Sequence, residues 1–472
     1  MKKIFKVFIA MLVCCACFLT ACASGLENNP GTNETVIGNG GIATIKGEYL
    51  YFVNGYQDYT LYTDINKDNK FGSVERSGIY RTKLVDGEVV RDENGFLVDV
   101  DCVVPQCVGF KNGSFYIIGD YIYYLTPHMG NSYVDNEKQL MSSWVDVCKI
   151  KIDGTDKKDL FYTSNDATSL KWSVYTIANK TYIVLLDNTD LISYEVESGN
   201  KVTMASNVTS VALLEQENHT YGITNLIDVE QYVYYTRDYT QEEGSLAGNK
   251  LCKVKIGTSQ EELVYTDVYN VTIKDMVNGC VYYTKVKDDG NSWNEELYKR
   301  NITTNVEVKV SGAYSSYNVV KYEEGEYVIT TDSNNYMYLV KGDTQKLIYK
   351  SSAAVTVIGL DDNKVYFVEN SQIYSVNYLA DGEQEAVLVT DNEKTYMLDN
   401  AKLIDLDGRR IFVLTSYTAS NSQTYYYLNV IDRYDTDAES DFVGKFVENE
   451  LPAEPGEYEN EDGEKVKDLW VK

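Results

Sequence analysis

The chain has 472 residues, 42 of them tyrosine, and a formal net charge of −28. A surface this acidic repels phosphate, which argues against nucleic acid and anionic lipid headgroups as partners held by charge. With only two histidines, His128 and His219, a histidine-based triad or zinc site has little to draw on.

At the N-terminus Lys2, Lys3 and Lys6 precede an apolar run from Val7 to Leu19, followed by Leu19-Thr20-Ala21-Cys22. This order is that of a secretory signal peptide. The apolar run is shorter than the roughly 20 residues a spanning helix needs. A cysteine directly after Leu-Thr-Ala resembles the lipobox of bacterial lipoproteins. The resemblance implies that residues 1–21 are removed and that Cys22 is acylated as the first residue of the mature chain. The expected location is therefore the outer face of a bacterial cell membrane, with the lipid as the membrane contact. Residues 22–40, rich in Asn, Gly, Thr and Ser with Pro30, lack hydrophobic periodicity and are expected to be a flexible tether.

From residue 41 to residue 447 short aromatic runs recur: Tyr49-Leu-Tyr-Phe, Tyr121-Ile-Tyr-Tyr, Thr181-Tyr-Ile-Val, Tyr232-Val-Tyr-Tyr, Cys280-Val-Tyr-Tyr, Tyr327-Val-Ile-Thr, Lys364-Val-Tyr-Phe and Arg410-Ile-Phe-Val. Most are spaced near the forty to fifty residues of a propeller blade. In several units an apolar segment and a tight turn precede the run, as Ile117-Ile118 before Gly119-Asp120 and Met276-Val277 before Asn278-Gly279. Such turns favour hairpins. Third strands are expected at Ile79, Val147, Leu251, Leu297, Met337 and Ile373, and fourth strands at Leu160, Leu263, Leu347 and Val387. No stretch of helical periodicity interrupts them. The fold expected is all-β, a single β-propeller of seven or eight four-stranded blades, with eight favoured by the count of runs. A tandem pair of β-sandwiches is the alternative.

Residues 448–472 form an acidic tail, with eight acidic residues and no Lys or Arg between Glu448 and Glu464. It reads as a solvated segment.

The aromatic strand followed by Lys-Ile-Asp153-Gly154-Thr155-Asp156-Lys-Lys resembles the lipoprotein-receptor-like (prolow-density lipoprotein receptor-related) β-propeller repeats of bacterial surface lipoproteins. The likeness is clearest from Tyr121 to Tyr162 and recurs from Tyr232 to Tyr265. It implies a propeller with a binding or scaffolding role.

Five cysteines lie beyond Cys22. Cys102 and Cys107, with Pro105 between them, could form a local disulfide in an exported protein. Cys148, Cys252 and Cys280 fall at strand positions that other units fill with tyrosine, and are expected to be packing residues.

Asp64-Ile-Asn66-Lys-Asp68-Asn69-Lys70-Phe71-Gly72-Ser-Val-Glu75 looks like a calcium loop. Asp64, Asn66 and Asp68 would offer side-chain oxygens, Lys70 its carbonyl and Glu75 a carboxylate. Asn69 stands where such loops need Gly for a sharp turn, although Asn tolerates the left-handed backbone. A plain Asx-rich surface turn is the alternative; the role expected for a structural Ca2+ here is to stiffen the loop.

No nucleophile elbow, phosphate loop or zinc helix occurs, and the one Cys-x-x-Cys lies in the leader. The function expected is non-catalytic recognition of a protein, peptide or glycan; Trp144, Trp172 and Trp293 could anchor such a ligand if exposed, with core packing the leading reading of each. A carbohydrate-active propeller enzyme using paired channel carboxylates is the alternative. Calorimetric titration should detect one weak calcium site, of about 0.1–1 mM, that is lost when Asp64→Ala and Asp68→Ala are combined. Absence of heat at millimolar calcium would refute the site.

Overall fold

The computed structural model describes residues 43–468 apart from the segments 57–77, 91–98, 108–114, 129–132, 135–139, 164–169, 214–231, 240–247, 267–270, 289–292, 390–396, 405–409, 419–423, 433–455 and 460–464 and single or paired residues in some turns. Among the described residues the regular structure is β-strand throughout, and no helix is long and apolar enough to cross a membrane.

Seven consecutive stretches of chain each form a four-stranded antiparallel meander. The first comprises Ala43–Lys46, Tyr49–Tyr56, Gly78–Val85 and Val100–Val104; the second Phe115–Ile118, Tyr121–Pro127, Val145–Lys151 and Lys158–Thr163. The third is Lys171–Ile177, Lys180–Asp187, Asp190–Glu195 and Asn200–Ala205; the fourth Val208–Ala212, Tyr232–Asp238, Asn249–Lys255 and Glu261–Thr266. The fifth runs over Val271–Val277, Cys280–Asp288, Trp293–Asn301 and Glu307–Ala313, and the sixth over Ser316–Tyr322, Gly325–Thr331, Tyr336–Lys341 and Thr344–Lys350. Val355–Asp361, Lys364–Glu369, Gln372–Asn377 and Val387–Leu388 make the seventh. These are the blades of a β-propeller. In the first and second blades the opening strand is mostly buried, whereas the closing strands Lys158–Thr163 and Glu261–Thr266 are exposed or half-buried at every position but Thr163, so the second blade runs from the inside outwards.

The blade count is seven, the lower of the two expected. The eighth run, at Arg410, belongs to a three-stranded sheet of Met397–Ile404, Arg410–Thr418 and Thr424–Asp432. Instead of completing a fourth strand, Thr424–Asp432 pairs with the end of Tyr49–Tyr56, matching Tyr425 to Tyr56 and Tyr426 to Gly55. First and last sheets are thereby joined. Within the tail, Gly456–Glu459 and Lys465–Asp468 pair as a small hairpin, so this part of the acidic segment has regular structure.

Strand alternation explains why the aromatic runs repeat. Successive side chains point to opposite faces, and the second strand of a blade lies between two neighbouring blades. In the second blade Ile122 and Tyr124 pack toward the first blade, among Tyr51, Ile79 and Val104. Tyr123 and Leu125 pack toward the third blade, against Trp172 and Val174. In the fourth blade Val233 and Tyr235 face the third and Tyr234 the fifth. In the fifth, Val281 and Tyr283 face the fourth while Cys280 and Tyr282 face the sixth. Positions two and four of the run thus pack backwards, and positions one and three pack forwards.

The third blade shows where sequence reading loses register. Ile183 and Leu185 face the second blade and Val184 the fourth. Its run therefore begins at Tyr182, one residue later than the Thr181 start expected.

The buried tyrosines also place their hydroxyls by position. Tyr235 Oη donates to Glu261 Oε2 at 2.7 Å, across to the fourth strand of its own blade. Tyr123, one position earlier in its run, hydrogen bonds with Thr181 of the next blade. Arg81 is fully buried and spans two blades: Nη1 donates to the Ile152 carbonyl at 3.1 Å, Nε to Asp101 Oδ2 at 3.3 Å, and the guanidinium lies 4.3 Å from the Tyr49 ring centroid.

Cys148, Cys252 and Cys280 pack in the cores between blades. Burial pushes the Cys252 thiol up to about 12, which makes it unreactive. Cys102 and Cys107 are thiols here rather than the two halves of a bridge. Cys102 lies opposite Tyr80 on the outer strand of the first blade, with its thiol pushed by burial to about 11. Cys107 is buried among Val104, Ile122 and Tyr124.

Ring volume and hydroxyl bonding can be separated at Tyr235. Tyr235→Phe should cost about 1.5 kcal/mol, the value of a hydrogen bond to a charged group, and Tyr235→Ala about 4 kcal/mol. Chemical denaturation of both variants checks this, and equal costs would contradict it.

Candidate functional site

Rings, cations and carboxylates meet repeatedly along the outer halves of the blades. In the second blade Lys149 Nζ stands 4.3 Å from the Tyr121 ring centroid, and Tyr121 Oη donates to Asp156 Oδ2 at 2.9 Å. The fourth blade repeats this with Lys253 4.5 Å from Tyr232, whose hydroxyl donates to Glu262 at 2.9 Å. Both lysines sit on the third strand diagonally across from their tyrosine, since Lys151 pairs with Tyr121 and Lys255 with Tyr232. Diagonal neighbours are within reach of long side chains.

The fifth blade carries a more buried version. Lys285 Nζ lies 4.1 Å from Tyr298 and 4.3 Å from Tyr265, and donates to Glu307 Oε1 at 2.6 Å. Arg300 Nη2 donates to Glu307 Oε2 at 2.8 Å, and Tyr283 Oη donates to the same oxygen. Burial acts to raise the Glu307 carboxyl, but the hydrogen bonds from Lys285 and Tyr283 and the two positive charges outweigh it and hold the group below the usual range. Glu261 is likewise held low against its burial, by Arg237 and Tyr235.

One cluster differs from these. His128, Trp144 and Tyr162 bring three rings together in the second blade with nearly parallel planes. His128 and Tyr162 centroids are 4.5 Å apart at 14°, Trp144 and Tyr162 5.7 Å at 6°, and His128 and Trp144 5.9 Å at 19°. The His128 amide donates to the Trp144 carbonyl at 2.8 Å, continuing the pairing of the second and third strands. His128 Nδ1 is 2.7 Å from Asp146 Oδ1. Burial raises the Asp146 carboxyl, opposed by the hydrogen bond and charge of His128.

Register fixes which way this cluster faces. Trp144, Asp146, Cys148 and Ile150 alternate along one strand, and Cys148 and Ile150 pack toward the first blade. Tyr162 pairs with Asp146, and a bulge brings Asp159 opposite Cys148. Asp146, Asp159 and Tyr162 therefore share that face. Asp159 Oδ1 accepts a hydrogen bond from Cys148 Sγ at 3.1 Å. Tyr162 is 53% exposed, although the other aromatic residues of the adjacent core clusters are buried or half-buried.

Of the residues singled out in the sequence, Trp144 is in this cluster and Trp172 is not. Trp172 is buried, edge-on to Tyr116 at 4.7 Å, with its carbonyl accepting from Tyr116 Oη. The Trp293 side chain and His219 lie outside the described residues, as do Cys22 and Asp64, Asn66, Asp68, Lys70 and Glu75. Among the described residues no group of three or more His, Cys, Asp or Glu is placed to hold a metal ion. Tyr162 was not legible as a site residue, because its neighbours His128 and Trp144 flank the ends of two other strands and only register brings the three together.

No known protein family and no curated protein matches the chain. Among solved structures it is similar to a computationally designed protein, Ika8, at 11% identity over 85% of this chain and 98% of that one, with a TM-score of 0.42. It is similar to the β-propeller domain of the Trilobed protease from Pyrococcus furiosus at 11% identity, over 76% and 99% of the two chains, with a TM-score of 0.36. Similarity to a prolyl endopeptidase is at 8% identity over 85% of this chain, with a TM-score of 0.41. This chain spans 55% of that endopeptidase's length. The class defined by the sheet topology is a seven-bladed β-propeller.

Because Glu307 ionises more readily in the fold than in the unfolded chain, it adds stability above the usual glutamate value of about 4.3. That contribution is lost as pH falls through its lower, folded value. Glu307→Gln should cost roughly 2 kcal/mol at neutral pH, and thermal melts should show the gap to wild type closing as the pH is lowered below the usual glutamate range. A gap that does not change with pH would contradict the assignment.

Proposed function

We propose that the chain is an exported lipoprotein, held at the outer face of a bacterial membrane through acylated Cys22, whose propeller recognises a ligand without transforming it. The observation that carries the recognition half is the His128, Trp144 and Tyr162 cluster, where three rings gather at a blade edge and one stands half-exposed. Large amphipathic rings, held rigid by their neighbours, favour recognition because little conformational freedom is lost on binding.

The chemistry of the outer-strand carboxylates supports the same reading. A general acid works with its pKa raised toward the operating pH. Glu261 and Glu307, unlike Asp146, are held low by cations and tyrosine hydroxyls, which is the state of a fixed structural acceptor.

The acidic body has little attraction of its own for an anionic phospholipid surface, so retention at a membrane rests on the lipid. A calcium ion in the Asp64 to Glu75 loop would stiffen the connection between the strands Tyr49–Tyr56 and Gly78–Val85.

Cys22→Ala should move the protein from the membrane pellet to the soluble fraction or the medium on cell fractionation. Retention of the variant in the pellet would sink the anchor.

A further inference from the structure

The chain repeatedly uses one chemical unit: a cation laid on an aromatic face and held there by a carboxylate. Arg81 lies over Tyr49 and is bonded to Asp101. Lys253 lies over Tyr232 and pairs with Glu262 at 3.3 Å. Lys285 lies over Tyr298 and Arg300 over Tyr265, and both are held by Glu307. Ring faces are electronegative, so each contact is an attraction between charge and quadrupole reinforced by an ion pair.

Tyr162 has two of the three parts. Its ring contacts are His128 and Trp144, which stack against it, and it remains 53% exposed. Carboxylates stand on the same face of the blade: Asp146, engaged by His128, and Asp159, whose side chain is 67% exposed. The cation facing Asp159 is Lys157, at 3.5 Å and itself half exposed. Such a surface pair contributes little and is readily displaced.

We propose that the outer face of Tyr162, together with Asp159, is a docking site for an arginine side chain on a basic peptide segment of a partner. The incoming guanidinium would complete the unit that the chain builds internally at Tyr49 and Tyr265. Two further observations favour this occupant. The rings lie against one another with near-parallel planes, so no slot opens between them, and a planar guanidinium matches an exposed ring face better than an ammonium does. The chain's charge of −28 draws a basic segment toward it from solution. This inference rests on the recognition reading above and is independent of the anchor.

The test uses the full-length chain in detergent micelles, with two probes: a Gly-Ser peptide carrying three arginines, and a neutral hexasaccharide of glucose. Binding is followed by calorimetry and by Trp fluorescence. The arginine peptide should bind, more weakly as salt is raised, and its lysine counterpart should bind several-fold less tightly. Tyr162→Ala should weaken the arginine peptide about tenfold, Asp159→Asn several-fold, and Tyr162→Phe little. Tyr162 and Asp159 are exposed, so these variants are expected to fold, and a thermal melt verifies it. Glu383→Gln, which removes an exposed carboxylate paired with Lys350 on another blade, controls for general attraction by charge. Equal loss in Glu383→Gln and Asp159→Asn, or binding unmoved by Tyr162→Ala, overturns this site while leaving recognition elsewhere on the chain. Binding of the hexasaccharide but not the peptide overturns the arginine assignment in favour of a glycan. Failure of both probes counts against the site and the recognition reading together.

Discussion

The architecture depends on one constraint: the second strand of each blade is buried on both faces. A strand in that place cannot alternate apolar with polar residues as a half-exposed strand does, because neither face meets water. It is therefore mostly apolar or aromatic through the buried run, with polar residues such as Arg237 and Lys285 beyond it. The runs Tyr121-Ile-Tyr-Tyr, Tyr232-Val-Tyr-Tyr and Cys280-Val-Tyr-Tyr satisfy this, with two positions packing toward the preceding blade and two toward the following one. Each interface between blades is thus built from complementary halves of the same short motif.

Tyrosine is abundant because this place suits it better than phenylalanine. A wholly apolar double face would pack equally well but would not tie strands together laterally. The hydroxyl at position four reaches outward within its own blade, as Tyr235 does to Glu261, and the carboxylate so engaged is then shared with Arg237. At position three the hydroxyl of Tyr123 meets Thr181 of the next blade. Buried hydroxyls need partners, and outer-strand carboxylates supply them at Tyr235 and Tyr283. High tyrosine content and part of the negative charge are two sides of one arrangement.

The fold class was legible in the sequence because the motif is dictated by burial alone. The number of complete blades was less so. Arg410-Ile-Phe-Val has the composition of a second strand, but its sheet has three strands and takes its further pairing from the first blade, which no local pattern announces. Register also escaped at Thr181, where Tyr182, Ile183, Val184 and Leu185 leave a one-residue ambiguity that only the packing of Val184 and Leu185 on opposite sides resolves. Fourth strands at Val100 and Glu307 lacked a distinctive run because outer edges are exposed and compositionally mixed. Trp144 was identifiable as a candidate by residue type, but its stacking on Tyr162 depends on a bulge between Val147 and Cys148. Spacing along the chain likewise does not say that Cys107 packs in the core between blades.

The pairing of Tyr425 and Tyr426 with Tyr56 and Gly55 has a consequence for the order of assembly. Every blade is a meander of sequence neighbours, so its hydrogen bonds close short loops and can form as soon as its own stretch of chain is available. The joining of first and last sheets unites opposite ends of the sequence and carries the largest loop-closure entropy of any contact in the ring. Ring closure is therefore the slow, late event. Until it occurs the strand Tyr49–Tyr56 presents an unpaired end, and during synthesis that end is open to pairing with another copy of the chain.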